Sequence, residues 1–144
     1  MDRRSFLATA AGSSLPLVAG CLGRGKRTTT TTTGPFDVGM SSRRFHPAEV
    51  TVTSGTTVVW KNTSSHAHTV TAYQDSLPDG AQFFSTGDFD GEEAARNGWF
   101  NGANGALYSG DTYQHTFEVP GKYPYFCIPH EASGMVGTVV VSEK

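Results

Sequence analysis

The sequence predicts an all-β sandwich with one long excursion, and three observations carry this prediction. Short segments rich in valine, threonine and aromatic residues follow one another between residues 38 and 142. Gly, Pro, Asp and Asn separate these segments, as turns between short strands require. The stretch 75–110 breaks the pattern with polar residues and glycines. Seven short strands with turns this close together are typical of an antiparallel sandwich.

The predicted strands lie at 38–41, 48–53, 56–62, 68–72, 112–119, 121–127 and 135–142. A Ser-Gly pair at 54–55 supplies the turn after the second strand, and a Pro-Gly pair at 120–121 supplies the turn after the fifth. Inside the excursion, residues 92–96 favour one or two helical turns. Because unstructured excursions of this length are uncommon in compact domains, we expect this one to be functional or mobile.

Residues 1–20 are predicted to be a twin-arginine lipoprotein signal peptide. Arg3-Arg4 precede a weakly apolar stretch that glycine, serine and proline interrupt. This stretch is too short to cross a bilayer, which needs ~20 apolar residues. The segment ends at Cys21, where a lipid would be attached and would hold the exported protein at the outer face of the cytoplasmic membrane. A soluble secreted protein cleaved nearby is the alternative.

Residues 21–34 are predicted to be a tether that precedes a folded domain at 35–144. The tether contains six consecutive threonines and three basic residues. Its apolar content is too low to offset the entropy of ordering it. The basic residues close to Cys21 would lie near anionic lipid head groups.

The charge of the folded part argues against nucleic-acid binding. From residue 35 onward, six Lys/Arg and twelve Asp/Glu give a net charge of −6. Half of these acids fall in one stretch without a Lys or Arg: Asp75, Asp79, Asp88, Asp90, Glu92 and Glu93. This stretch is either an acidic recognition patch or a solvated loop.

Cys127 stands next to further metal-binding side chains. If Cys21 is used in processing, Cys127 is the single cysteine of the domain and has no disulfide partner. A thiolate bound to a metal is protected from oxidation. His130 and Met135 follow Cys127 in the same strand-loop-strand corner. Cysteine, two histidines and a weak axial methionine are the ligand set of blue copper electron-transfer sites.

The second histidine must come from elsewhere in the chain. His68 is the preferred candidate, because it opens a β-branched strand after a polar turn. His66 is the competitor, since two residues along an extended chain share a face. His46, which precedes a proline, and His115, in the middle of a strand, are interpreted as surface or packing residues.

Several motifs resemble those of one family. The chain reads Tyr-x-Tyr-Phe-Cys-Ile-Pro-His-x4-Met-x-Gly-Thr-Val-Val-Val from Tyr123 onward, and upstream it has Phe45-x-Pro47 and Val58-Val59-Trp60. It thereby resembles halocyanins and plastocyanins, the blue (type 1) copper proteins of the cupredoxin superfamily. The resemblance implies a Greek-key cupredoxin β-sandwich with one Cu(I)/Cu(II) ion. The implied ligands are His68, Cys127, His130 and Met135.

Two neighbours of the ligands are expected to tune the site. Many relatives have asparagine where this chain has Thr69, which is shorter but can accept or donate one hydrogen bond between the ligand loops. Pro129 lacks the backbone N–H that could otherwise point at the sulfur of Cys127. Because fewer hydrogen bonds to sulfur favour the reduced form, we expect Pro129 to raise the reduction potential.

The resemblance implies a mobile one-electron carrier rather than an enzyme. We expect a monomer that meets transient redox proteins, of respiratory or photosynthetic type, at the membrane. An accessory domain of a copper oxidase is the first alternative, but one His-x-His pair cannot build a trinuclear site. A zinc site or a copper-storage module is the second, although methionine is a poor zinc ligand. A two-copper centre would need a second cysteine in the ligand loop, which has none.

Overall fold

Two four-stranded sheets make up the β-structure of residues 36–144, the part of the chain that this computed structural model describes. The strands are β1 (Val38–Met40), β2 (Phe45–His46), β3 (Glu49–Thr53), β4 (Thr56–Asn62), β5 (Thr71–Ala72), β6 (Thr112–Phe117), β7 (Gly121–Phe126) and β8 (Val136–Ser142). One sheet has the order β2-β1-β4-β6 and the other has the order β3-β8-β7-β5. The remaining elements are the helix α1 (Glu92–Phe100) and 3₁₀ helices at Gln74–Ser76 and Ile128–Ser133. The predicted β-sandwich with a short-helix excursion is confirmed.

Alternating burial along the strands builds the core between the two sheets. In β4 the side chains of Val58, Trp60 and Asn62 are buried, while those between them are more exposed. β8 alternates in the same way. Successive side chains of a strand point to opposite faces, so this period places the buried set on the face shared by the two sheets. The buried cluster reaches Cys127 and Met135 at one end, so the predicted ligands border the core.

The two predicted turns connect strands of different sheets. Gly55 (φ +93°) and Gly121 (φ +143°) adopt left-handed backbone conformations at these turns, which glycine does without steric cost. One turn leads from β3 to β4 and the other from β6 to β7, in each case from one sheet to the other. Both sheets are mixed, because β1 pairs in parallel with β4 and β3 pairs in parallel with β8. The prediction of an antiparallel sandwich is therefore wrong, since turn residues mark where the chain reverses but not which sheet it then joins.

The predicted strand at 68–72 is confirmed only for β5. The preceding residues pair with the excursion: His68 exchanges two backbone hydrogen bonds with Leu107, and the Thr86 N–H donates to the Val70 carbonyl. The excursion therefore lies along this segment and supplies its hydrogen-bond partners. The short strand β2 was not predicted, because two residues before a proline show no periodicity.

The helix α1 is longer than the one or two turns that the sequence predicts. Tertiary contacts support the longer helix, since Ala95 is buried with Phe126 and Ile128, and Trp99, beyond the predicted turns, packs against the same cluster. Gly98 lies against the ring of Phe89, so that a Cβ at this position would have to displace the ring. Such packing outweighs the weak helix propensity of glycine.

Within residues 36–144 there is no helix with the length and apolar character needed to span a bilayer. The predicted signal peptide at 1–20, the predicted lipidation site at Cys21 and the predicted tether at 21–34 lie outside the described residues, and the predicted domain at 35–144 begins one residue before them.

Candidate metal centre

Three potential ligands converge at one end of the core. The Cys127 sulfur lies 3.5 Å from His68 Nδ1 and 3.5 Å from His130 Nδ1. One ligand atom from each of the three residues falls within 4.8 Å of the others. His68 and Cys127 are fully buried, whereas His130 is partly exposed. The arrangement is thus open to solvent on the His130 side alone.

The loop after β7 folds tightly and brings Met135 back to Cys127. The Cys127 N–H donates to the Met135 carbonyl (3.1 Å), and the Met135 N–H donates to the His130 carbonyl (3.2 Å). Between them the 3₁₀ helix Ile128–Ser133 ends at Gly134, whose φ of +89° lets the chain turn back. The Met135 side chain is fully buried in the same cluster as Cys127.

A buried asparagine and a serine orient His68. The Asn62 amide donates to the His66 carbonyl (2.7 Å) and to the Leu107 carbonyl (2.8 Å). Its Oδ1 must therefore accept, and it receives the N–H (2.8 Å) and the hydroxyl (2.8 Å) of Ser64. The Ser64 oxygen is left as the acceptor for His68 Nε2, 3.0 Å away. With Nε2 protonated, the lone pair of His68 lies on Nδ1, the atom that faces the thiol.

Asn62 and Ser64 are not among the site residues predicted from the sequence. A local signal existed, because Asn-x-Ser, which one further serine separates from His-x-His, favours a side-chain to backbone turn. The Leu107 carbonyl, by contrast, is 45 residues away along the chain, and no local pattern predicts that contact.

Burial sets the protonation states of the three groups. Burial, followed by the neighbouring His130, lowers the pKa of the His68 imidazole to about 4. Burial, followed by His66 and Arg43, also lowers the pKa of His130. Burial raises the pKa of the Cys127 thiol to about 11. At neutral pH both imidazoles therefore offer a lone pair, and a metal cation has to replace the thiol proton on binding.

Thr69 connects the two ligand segments through two hydrogen bonds. Its N–H donates to the Cys127 sulfur (3.4 Å), and its hydroxyl oxygen accepts the Ile128 N–H (2.8 Å). The shorter side chain thus makes the single side-chain bond expected of it. Pro129 lies in the first turn of the 3₁₀ helix, where it offers no N–H to the sulfur.

The other histidines lie outside the cluster. His66 is exposed, and its ring centroid is 6.1 Å from that of His130. His46 is exposed and hydrogen-bonded to Ser41, while His115 stacks on Phe84. Of the two candidates for the second imidazole, it is His68 whose Nδ1 faces Cys127.

The end of the acidic stretch, at the start of α1, approaches the ligand loop through Arg96. Five of its six carboxylates are exposed, and Glu92 is partly buried and paired with Arg96 at 2.8 Å. Arg96 also pairs with Glu131, the residue after His130, at 2.8 Å. Arg96 and Glu131 are not among the site residues predicted from the sequence, although the i, i+4 spacing of Glu92 and Arg96 is a recognisable helical pairing signal.

Comparisons with known proteins agree with this geometry. The profile of a family described as copper binding proteins, plastocyanin/azurin family, matches residues 34–142. Plastocyanin of Scenedesmus fuscus is 32% identical over 97 residues, which cover 67% of this chain and 85% of that protein. The chloroplastic plastocyanin minor isoform of Arabidopsis thaliana is 36% identical over 100 residues, covering 69% of this chain and 52% of that protein. The chain thus spans about half the length of that chloroplastic relative.

A solved structure supports the fold. The reduced state of an amicyanin mutant superposes with a TM-score of 0.52 at 24% identity, covering 73% of this chain and 79% of that chain. The predicted cupredoxin-type sandwich is therefore confirmed.

Proposed function

Because this chain belongs to the plastocyanin/azurin family of copper-binding proteins, we propose that it is a mobile one-electron carrier whose type 1 copper is held by His68, Cys127, His130 and Met135. The observation that carries this assignment is the pair of 3.5 Å separations between the Cys127 sulfur and two imidazole nitrogens. Two ligands that bind one ion at about 2.0–2.3 Å lie roughly 3.5 Å apart when the angle between them is open. The side chains are therefore already spaced for a single ion.

The donor set favours copper over zinc. Thiolate, two imidazoles and a buried thioether match blue copper sites, whereas structural zinc sites use four Cys or His ligands. When bound, copper supplies the reversible exchange of one electron. The protein excludes water from His68, Cys127 and Met135, which are fully buried. His130 is the ligand that reaches the surface, so its exposed edge is the proposed point of electron entry and exit.

The test is to load the purified protein with Cu(II) and, separately, with zinc. A type 1 site gives an intense red absorption with copper that reduction bleaches, whereas the zinc protein is colourless. Preferential retention of zinc in a competition between the two metals would support the structural-zinc alternative instead. A tightly bound copper without this absorption would favour a storage module.

We predict that Met135→Leu retains the blue colour and raises the reduction potential. The thioether donates weakly to the metal and stabilises the oxidised form, so its removal favours the reduced form. The expected rise is at least about 59 mV, a tenfold change for a one-electron couple. Cyclic voltammetry of both proteins measures it, and Met40→Leu, at a buried position in β1, is the matched control. Equal potentials for all three proteins would place the thioether outside the site.

The proposed cellular setting is the outer face of the cytoplasmic membrane. A twin-arginine signal at 1–20 would direct export, and lipid on Cys21 would hold the mature protein, since two hydrocarbon chains anchor stably where one is marginal. The tether at 21–34 would give the domain a reach of roughly 20 Å if it behaves as a flexible chain. This range would let the domain meet membrane-bound redox partners.

We predict that Cys21→Ala releases the protein from membranes. The variant lacks the only proposed attachment site for lipid, so it should move from the membrane fraction to the soluble fraction. Fractionation and mass spectrometry of the mature N-terminus measure this, with Cys127→Ala, which leaves Cys21 intact, as the control. Wild-type protein recovered in the soluble fraction with an unmodified Cys21 would support the cleaved, soluble alternative.

We predict that the acidic stretch steers basic redox partners toward His130. Exposed charges act mainly on the association rate and are screened over ~10 Å at 0.1 M salt. Electron exchange with a cationic partner should slow as salt rises, and this dependence should weaken when Asp88, Asp90 and Glu93 are neutralised together. Glu92 is kept because it pairs with Arg96. Stopped-flow kinetics measures the effect. If the triple variant keeps the full salt dependence while Ala132→Asp slows exchange, the surface around His130 governs docking alone.

A further inference from the structure

A salt-bridge cluster joins the excursion to the loop that carries His130. Arg96 of α1 donates to both carboxylate oxygens of Glu131, at 2.8 and 3.2 Å. The same guanidinium donates to Glu92 one turn earlier, at 2.8 and 3.0 Å. Glu131 also accepts the hydroxyl of Tyr73 at 2.7 Å. Three donors therefore hold the side chain of the residue directly after His130.

The stacked rings of Phe126 and Tyr73 pack against this cluster. The Arg96 guanidinium lies 4.3 Å from the ring centroid of Phe126, and Tyr73 stacks on the same ring at 4.4 Å. Phe126 is fully buried and directly precedes Cys127. Planar stacking and a two-pronged ion pair together restrict a guanidinium more than either contact does alone. Arg96 is thus fixed in a position that borders both ends of the segment from Cys127 to His130.

The contacts are arranged to resist movement of the loop. Its backbone hydrogen bonds, among them Gly134 N–H to the Glu131 carbonyl (2.9 Å) and Met135 N–H to the His130 carbonyl (3.2 Å), join residues of the loop to one another. His130 is also the least buried of the four proposed ligands. The ion pair between Glu131 and Arg96 of α1 restrains the His130 loop, which is the part of the site that the core does not enclose.

We propose that Arg96 and Glu131 form a clamp that holds the His130 loop in one position in both oxidation states. The inference rests on the proposed function, since it concerns the electron-transfer role of His130. Arg96 and Glu131 are positioning residues, because they act through the loop and not on the metal. By holding the loop they keep electron exchange fast, because fast exchange requires that the ligands move little when the electron is gained or lost.

A positioning role and a purely electrostatic role of Arg96 and Glu131 predict different results for two variants. Arg96→Met removes a positive charge and Glu131→Gln removes a negative one, so their electrostatic effects on the reduction potential have opposite signs. Loss of positioning, by contrast, lowers the rate of electron exchange in both variants. We expect each variant to slow electron self-exchange by roughly two- to fivefold at high salt, where surface charges are screened. Amide exchange of Gly134 and Met135 in the Cu(I) protein should accelerate by a similar factor.

Two further variants sharpen the experiment. Glu143→Gln removes an exposed carboxylate just after β8, outside the acidic stretch, and it should match the wild type in both measurements. Arg96→Lys keeps the charge but loses the paired hydrogen bonds, so its self-exchange rate should fall between those of the wild type and Arg96→Met. Rates and amide protection of Arg96→Met and Glu131→Gln equal to those of Glu143→Gln would overturn the clamp.

The clamp and the proposed function can be tested separately. Amide exchange can also be measured in the metal-free protein, where it reports how firmly the loop is held and does not depend on copper. If the wild type fails to form a blue copper site, the proposed function fails, and faster exchange of the Gly134 and Met135 amides in both variants would still support the clamp. If the site is blue but self-exchange and amide protection are unchanged in both variants, only the clamp is wrong.

Discussion

Cys127→Ser is expected to abolish the intense red absorption of the copper-loaded protein. The absorption arises from charge transfer between a thiolate and Cu(II), and a serine hydroxyl neither ionises at neutral pH nor provides a soft donor. Copper affinity should fall by at least about 100-fold, the upper range seen when groups that merely support a metal ligand are lost. Visible spectroscopy and competition with a chelator measure the two effects.

The control for this variant is His66→Ala. His66 is exposed and lies outside the group formed by His68, Cys127 and His130, so its removal should leave the colour and the affinity close to those of the wild type. A colourless His66→Ala protein would mean that His66, not His68, provides the second imidazole. Retention of the blue colour in Cys127→Ser would refute the metal assignment itself.

Asn62→Ala is expected to lower the free energy of unfolding of the metal-free protein by about 2–4 kcal/mol. Asn62 is fully buried and uses both its oxygen and its nitrogen in hydrogen bonds. Its loss leaves the turn that carries Ser64 and His66 without support and removes the nearer of the two acceptors of the Ser64 hydroxyl. Urea denaturation should show a lower midpoint with an unchanged slope.

Two companion variants test the details of this network. Asn101→Ala removes one exposed hydrogen bond at the end of α1, and it should change stability by no more than about 0.5 kcal/mol. Ser64→Ala should cost less stability than Asn62→Ala but weaken copper binding by about 10-fold, because His68 loses the acceptor that fixes its tautomer. Copper affinity equal to the wild type would show that the tautomer does not depend on Ser64. An unfolding midpoint of Asn62→Ala equal to that of Asn101→Ala would show that the network is not stabilising.

Local patterns in the sequence were enough to predict much of this protein. The alternation of apolar residues and the turn pairs located most strands, because a period of two and a Gly-containing turn are properties of a few adjacent residues. The ligand loop was also predictable from neighbouring residues, since Cys127, His130 and Met135 fall within nine residues. The resemblance to plastocyanins rested on these short motifs, and the match over residues 34–142 confirms it. The predicted signal peptide, anchor and tether remain predictions.

The tertiary structure alone decided which distant segments meet. The parallel pairings of β1 with β4 and of β3 with β8 depend on how the chain crosses between sheets, which no local period encodes. That His68 and not His66 faces Cys127 depends on Asn62 and on the carbonyl of Leu107, 45 residues further along the chain, and the Arg96–Glu131 contact joins residues 35 apart. Such contacts form because burial in a closed sandwich leaves each polar group a small set of partners, and that set is fixed only when the whole domain has packed.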